Sequence, residues 1–182
     1  MADLILASAS PRRKQLLEQA GYTFDIIAAD VDETNPPGMN GREVPEFLAR
    51  KKAAVIAAQY PEKTVIAADT IVLLDNDILG KPVDEADALQ MLGRLSGRMH
   101  EVVTGVCIRR GAALESFSVI TEVYFRPLTQ QQIHYFITTY KPFDKAGSYA
   151  IQEWIGLVGI EKINGDYYNV MGLPISEIAI RI

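Results

Sequence analysis

At 182 residues, 48% of them hydrophobic, the chain has the length of about one domain and enough apolar material for a core. A formal net charge of -5 excludes a general nucleic-acid or membrane-surface binder, because those roles need a long-range positive field. One cysteine, Cys107, and two histidines, His100 and His134, exclude an internal disulfide and a thiolate or imidazole zinc site, so any metal would be a hard, oxygen-bound cation.

The first element is a short apolar strand over Leu4 to Ala7, followed by the small-residue turn Ser8-Ala9-Ser10. Ser10-Pro11 then reads as an N-cap with proline at the first helical position, so a helix starts near residue 11. Its first turn carries Arg12, Arg13 and Lys14 where the exposed N–H groups already carry positive partial charge. Cations there describe a polyanion site, most economically a phosphate chain, against the alternative of a solvated basic turn.

Asn35 to Gly41 is a loop, and Glu43 to Tyr60 is a helix with Val44, Phe47, Leu48, Val55 and Ile56 on its apolar stripe. Thr64 to Leu74 reads as a buried strand or strand pair, followed by a turn at Asp75-Asn76-Asp77 and an amphipathic helix over Glu85 to Leu95. His100 to Arg110 and Leu114 to Arg126 form a hairpin through Gly111-Ala112-Ala113, with Cys107 as a buried small hydrophobe. A Thr-capped helix follows over Thr129 to Tyr140, then a polar turn around Asp144 and a strand over Leu157 to Ile163. After a turn at Gly165, a short helix or strand closes the chain beyond Pro174. Interleaved strands and helices with one hairpin specify a mixed α/β sheet with helices on its faces. No apolar stretch reaches the roughly 20 residues that span a bilayer, and Leu4 to Ala7 is too short for a signal-peptide core, so a cytosolic protein without a membrane partner is expected.

Within Val65 to Leu74, Asp69 is expensive to bury unless it is paired, metal-bound or at a strand end, which makes it a functional candidate; the alternative is a solvent-facing turn residue. Thr70 adds a hydroxyl. Lys81 in Gly80-Lys81-Pro82 can serve as a point-charge phosphate ligand or sit in a solvated loop; the motif is no P-loop, lacking the upstream glycine and the following Ser or Thr. Lys52 flanks the apolar stripe of its helix and either snorkels or reaches an anion. Gln152, in the polar run Phe143 to Gln152, has the donor and acceptor edges that suit the imide edge of uracil or thymine.

Taken together, Ser8 to Arg13, Asp30 to Glu33, Leu48 to Ala53, Ala68-Asp69-Thr70, Gly80-Lys81-Pro82, Asp144 to Gln152 and Asn169 to Pro174 resemble the Maf family of nucleoside triphosphate pyrophosphatases over nearly the whole chain. The resemblance implies one domain over residues 1-182, a mixed, strongly twisted sheet with two lobes around a central cleft, and often a homodimer. It implies hydrolysis of a small-molecule nucleoside triphosphate to the monophosphate and pyrophosphate, with a divalent cation, Mg²⁺ or Mn²⁺. The family pattern puts the proton acceptor on Asp69, substrate discrimination on Arg12, Thr70 and Gln152, and phosphate binding on Ser8, Arg13, Lys52 and Lys81. Glu33 and Asp69 are its candidate metal residues. Paired Arg12-Arg13 with Lys145 to Gln152 looks like the dTTP and UTP subgroup. A competing reading is a nucleotide-binding regulator of cell division without turnover, following the family's association with septum formation.

Overall fold

The computed structural model describes residues 2–182. Its elements in chain order are β1 (Leu4–Leu6), α1 (Pro11–Gln19), β2 (Asp25–Ile26), α2 (Val44–Gln59), β3 (Thr64–Leu74), β4 (Asp77–Leu79), α3 (Glu85–Leu95), β5 (Met99–Arg110), β6 (Ala113–Phe125), α4 (Gln130–Tyr140), α5 (Trp154–Gly159), β7 (Ile160–Asn164), α6 (Tyr167–Met171) and α7 (Ile175–Ala179). Seven strands form one sheet in the order β2-β1-β3-β5-β6-β7, with β4 on β3. The sheet is mixed: β1 runs parallel to β2 and β3, while the β3–β4 and β6–β7 pairs are antiparallel. Among the described residues, no helix is long and apolar enough to cross a membrane.

The chain divides into two compact units. The first comprises Met1–Thr70, Thr104–Val119 and Gly172–Ile182. Its core sets Ala49, Ala53, Ile56 and Ala57 of α2 against Ile5, Val65, Ala67 and Cys107 from the sheet. Small residues one helical turn apart let α2 approach closely, and burial pushes the Cys107 thiol up to about 11, as suits an inert packing residue. The approach is close at Gly105, where an added Cβ would lie 2.1 Å from the Glu46 nitrogen. Glu46 also accepts from Ser116 and Ser118 of β6, fixing the start of α2 from a second side.

The second unit comprises Ile71–Val103 and Ile120–Met171. Ala88, Leu92 and Leu95 of α3 and Ile133, Phe136 and Ile137 of α4 are buried there. Asp84 and Thr129 cap these helices through their side chains, the latter in a full capping box with Gln132. His100, Phe125 and Tyr149 form a buried trio of edge-on rings, and the Tyr149 hydroxyl lies 2.7 Å from His100 Nε2. Burial drops the His100 pKa to about 3 and raises that of Tyr149.

Three sequence expectations change. Leu157 to Ile163 does not form one strand: residues 154–159 are helical, Leu157 is exposed, and β7 begins only at Ile160. A short apolar run does not by itself distinguish a helical turn from a strand. Val55 faces solvent at 39% exposure, so the α2 stripe runs instead through Leu48, Ala49, Lys52, Ala53 and Ile56. Asp77, expected in a turn, starts β4, and the bend is made by Asp75 and Asn76, with Asp75 at φ +58°.

Candidate active site

Strand β1 ends at Leu6, paired with Ile66, so β3 runs on beyond its neighbour's carboxyl end. In open parallel sheets that end is where ligands bind. The chain leaves β1 through Ser8 to Ser10 and enters α1, with the Ser10 hydroxyl accepting from the Arg13 backbone N–H. Pro11 opens the helix and no acidic residue stands in its first turn, as the sequence specified. The N-terminus therefore keeps its positive character and adds the Arg12 and Arg13 guanidiniums to it.

Along β3, Val65 to Ala68 are buried, Asp69 and Thr70 are partly open, and Ile71 to Leu74 are buried again. Two polar residues thus interrupt an otherwise apolar strand. Lys52 Nζ donates to Asp69 Oδ1 at 2.7 Å and lies 2.7 Å from Glu33 Oε1. The Lys52 and Asp69 side chains are only 11% and 14% exposed, against 60% for Glu33. One sheltered cation therefore joins a strand carboxylate to a loop carboxylate. Lys52 is not a snorkelling surface residue.

Ser8 Oγ accepts from the Ser10 N–H and from Arg13 Nη1, both at 3.2 Å, so its own O–H remains a donor for an anion. Arg13 lies deeper than its place beside Arg12 suggests. Its Nη1 also donates to the Ala68 carbonyl at 2.7 Å, Nη2 to Thr70 Oγ1 at 3.0 Å, and Nε to the Gly172 carbonyl at 2.8 Å. Burial holds its pKa below the ordinary guanidinium value, with the nearby Asp69 carboxylate opposing that shift. Thr70 Oγ1 in turn lies 2.9 Å from Thr104 Oγ1.

Ser8, Arg13, Glu33, Lys52, Asp69 and Thr70 are brought together within the first unit, and Arg12 stands at the head of α1 beside them. Lys81 and Gln152 belong to the second unit and are exposed. In that unit the Gly147 N–H donates to the Gly80 carbonyl at 3.0 Å, tying the segments that carry them. Gly147 has φ +66°, and an added Cβ would meet Val72 at 2.9 Å, so this crossing requires glycine. Thr104 and Gly172 join the site only through the fold, by their bonds to Thr70 and Arg13. Thr104 is one threonine in the apolar run Val102 to Ile108, and Gly172 lies within the Asn169 to Pro174 motif without a pattern that gives it a role.

Glu33 and Asp69 carry oxygen donors of the kind a hard divalent cation takes. Both carboxylates meet at Lys52 Nζ, 2.7 Å from each, so the ammonium sits between them; a Mg²⁺-type ion is commonly held by one or two carboxylates with substrate phosphates and waters. Among the described residues no cluster of three His, Cys, Asp or Glu side chains could hold such an ion.

The model of the Maf-like protein family matches residues 3–181. A dTTP/UTP pyrophosphatase of Cytophaga hutchinsonii is 52% identical over 97% of this chain and 81% of its own length. One of Phocaeicola vulgatus is 48% identical over 96% of this chain and 92% of its own. Among solved structures, the Staphylococcus aureus Ham1 protein aligns with 67% of this chain and 71% of its own at a TM-score of 0.46 and 19% identity. With its motifs at the head of α1 and on β3, and the family match running nearly end to end, the chain belongs to the Maf-like protein family.

Proposed function

We propose that this protein hydrolyses nucleoside triphosphates, dTTP and UTP foremost, to the monophosphate and pyrophosphate. The observation that carries the reading is the sheltered Lys52–Asp69 pair, next to a helix N-terminus with two arginines and no acidic residue. The names of the relatives that match most of the chain support the same activity.

Asp69 takes the proton of the water that attacks the α-phosphorus, and pyrophosphate leaves. A carboxylate suits this role because it orients the water and accepts its proton in one position. Lys52 holds Asp69 in place and faces the charge that develops on the phosphates. Ser8 donates its hydroxyl, Lys81 adds a point charge, and Arg12, Thr70 and Gln152 discriminate among bases and sugars. Glu33 and Asp69 would hold Mg²⁺ or Mn²⁺ together with phosphate oxygens. Such a cation neutralises triphosphate charge and makes water more acidic.

The test is product analysis. Wild type and Asp69→Asn are incubated with dTTP, UTP, CTP, ATP and GTP plus Mg²⁺ or Mn²⁺, and pyrophosphate is separated from phosphate. Wild type is expected to release pyrophosphate with dTMP or UMP, while the variant, folded by circular dichroism, loses at least about 100-fold in rate. Normal turnover by Asp69→Asn would remove the assigned base. Tight nucleotide binding without product from wild type would instead leave a regulator.

A further inference from the structure

We infer that Arg13 is a positioning residue for Asp69, not a phosphate ligand; this rests on the reading of Asp69 as proton acceptor. A guanidinium presents five N–H donors in a rigid planar fork, and binds phosphate well when two parallel donors lie open along one edge. In Arg13, four of the five point at protein oxygens: Nε at Gly172 O, Nη1 at Ala68 O and Ser8 Oγ, and Nη2 at Thr70 Oγ1. Every edge of the fork already carries a bond to the protein.

The choice of acceptors indicates the role. Ala68 and Thr70 are the residues on either side of Asp69, so one rigid group grips β3 immediately before and immediately after the carboxylate. The Ser8 contact ties the same group to the turn that enters α1, and the Gly172 carbonyl closes it from the C-terminal segment. Gly172 has φ +111°, a backbone conformation that L side chains rarely adopt, and an added Cβ would lie 3.5 Å from Thr70 Oγ1. Behind Thr70 stands Thr104, fully buried, whose hydroxyl extends the chain of hydrogen bonds to β5. Lys52 draws Asp69 toward both itself and Glu33, and the Arg13 brace fixes the backbone against which that pull acts.

The two roles separate in kinetics. In Arg13→Lys the charge remains, but one ammonium cannot satisfy four acceptors spread along a fork. The turnover number is then expected to fall about 100-fold, as for a misplacement near 1 Å, while affinity for α,β-methylene-dTTP changes less than about 3-fold. A parallel loss of affinity and turnover, or wild-type turnover in Arg13→Lys, would overturn the inference. If that variant does not fold, the wild-type protein decides: the Arg13 Nε–H proton, already hydrogen-bonded to the Gly172 carbonyl, should keep its NMR shift when α,β-methylene-dTTP saturates the site. A large downfield move would show a new phosphate acceptor and defeat the brace. Asp69→Asn, assayed alongside, separates the readings: if it is dead while Arg13→Lys loses only affinity, the brace fails and the base stands; if Asp69→Asn turns over normally, the base fails first.

Discussion

Lys52 in the first unit and Lys145 in the second present the same composition arranged in two ways. Each lysine side chain is nearly buried, at 11% and 10% exposed, and each touches two carboxylates, one of which is 60% exposed. Lys52 draws its partners from separate elements, Asp69 from β3 and Glu33 from the loop before α2. Lys145 finds Asp144 beside it in the chain and Glu153 a short loop away. The first arrangement fixes a strand carboxylate relative to a helix; the second fastens a loop to itself. Burial and pairing alone do not tell the two lysines apart; what differs is which parts of the fold their partners connect.

Lys52→Met should break the first arrangement with the largest effect. Removing the ammonium takes away the sheltered cation that joins Asp69 to Glu33 and withdraws one charge from the developing phosphates. Loss of one such preorganised donor corresponds to about 3 kcal/mol of transition-state stabilisation, or about 10²-fold or more in kcat. Steady-state kinetics on dTTP check this, and a loss below about 5-fold would make Lys52 a structural lysine like its counterpart.

The second unit relies at its centre on a neutral polar pair, and pH exposes that difference. His100 lies among Phe125 and Tyr149, and burial lowers its pKa from 6.5 to about 3. In the unfolded chain the imidazole regains its ordinary value. Between those two pH values the unfolded state therefore binds a proton that the folded state does not. The His100 contribution is fully present above pH 6.5 and is lost as pH falls toward 3, at up to about 1.4 kcal/mol per pH unit. Urea melts of wild type and His100→Gln at pH 7, 6 and 5 should differ in slope by about that amount, with the variant flatter. Parallel slopes would mean that the histidine titrates normally.

What the sequence disclosed follows the range of each interaction. Ser10-Pro11 and Thr129 were legible as helix starts because capping is decided within three residues. Asp69 was legible because a carboxylate in an apolar strand must be paired, although the identity of its partner was not: Lys52 could equally have snorkelled. The Arg13 brace was hidden, because its Nε acceptor lies 159 residues away in the chain. So was the need for glycine at 105, which arises from an α2 backbone that local pattern does not position. The missed strands β2 and β4 are two and three residues long, too short for alternation to register.

Lys145→Met provides the smallest and most discriminating effect. The exposed Asp144 adds little, since a solvent-facing pair contributes about 0 to 1 kcal/mol. Glu153 is more sheltered, at 22% exposure, and its Oε2 is buried without a hydrogen-bond partner, so loss of the lysine leaves that carboxylate poorly compensated. Together these imply about 1 to 2 kcal/mol of lost stability. Because the pair closes a loop on itself, the loss should appear in the urea midpoint while kcat stays within about 3-fold of wild type. A kcat loss equal to that of Lys52→Met would place both lysines on the phosphates. The difference between an assembled site and a local staple would then reduce to sequence distance alone.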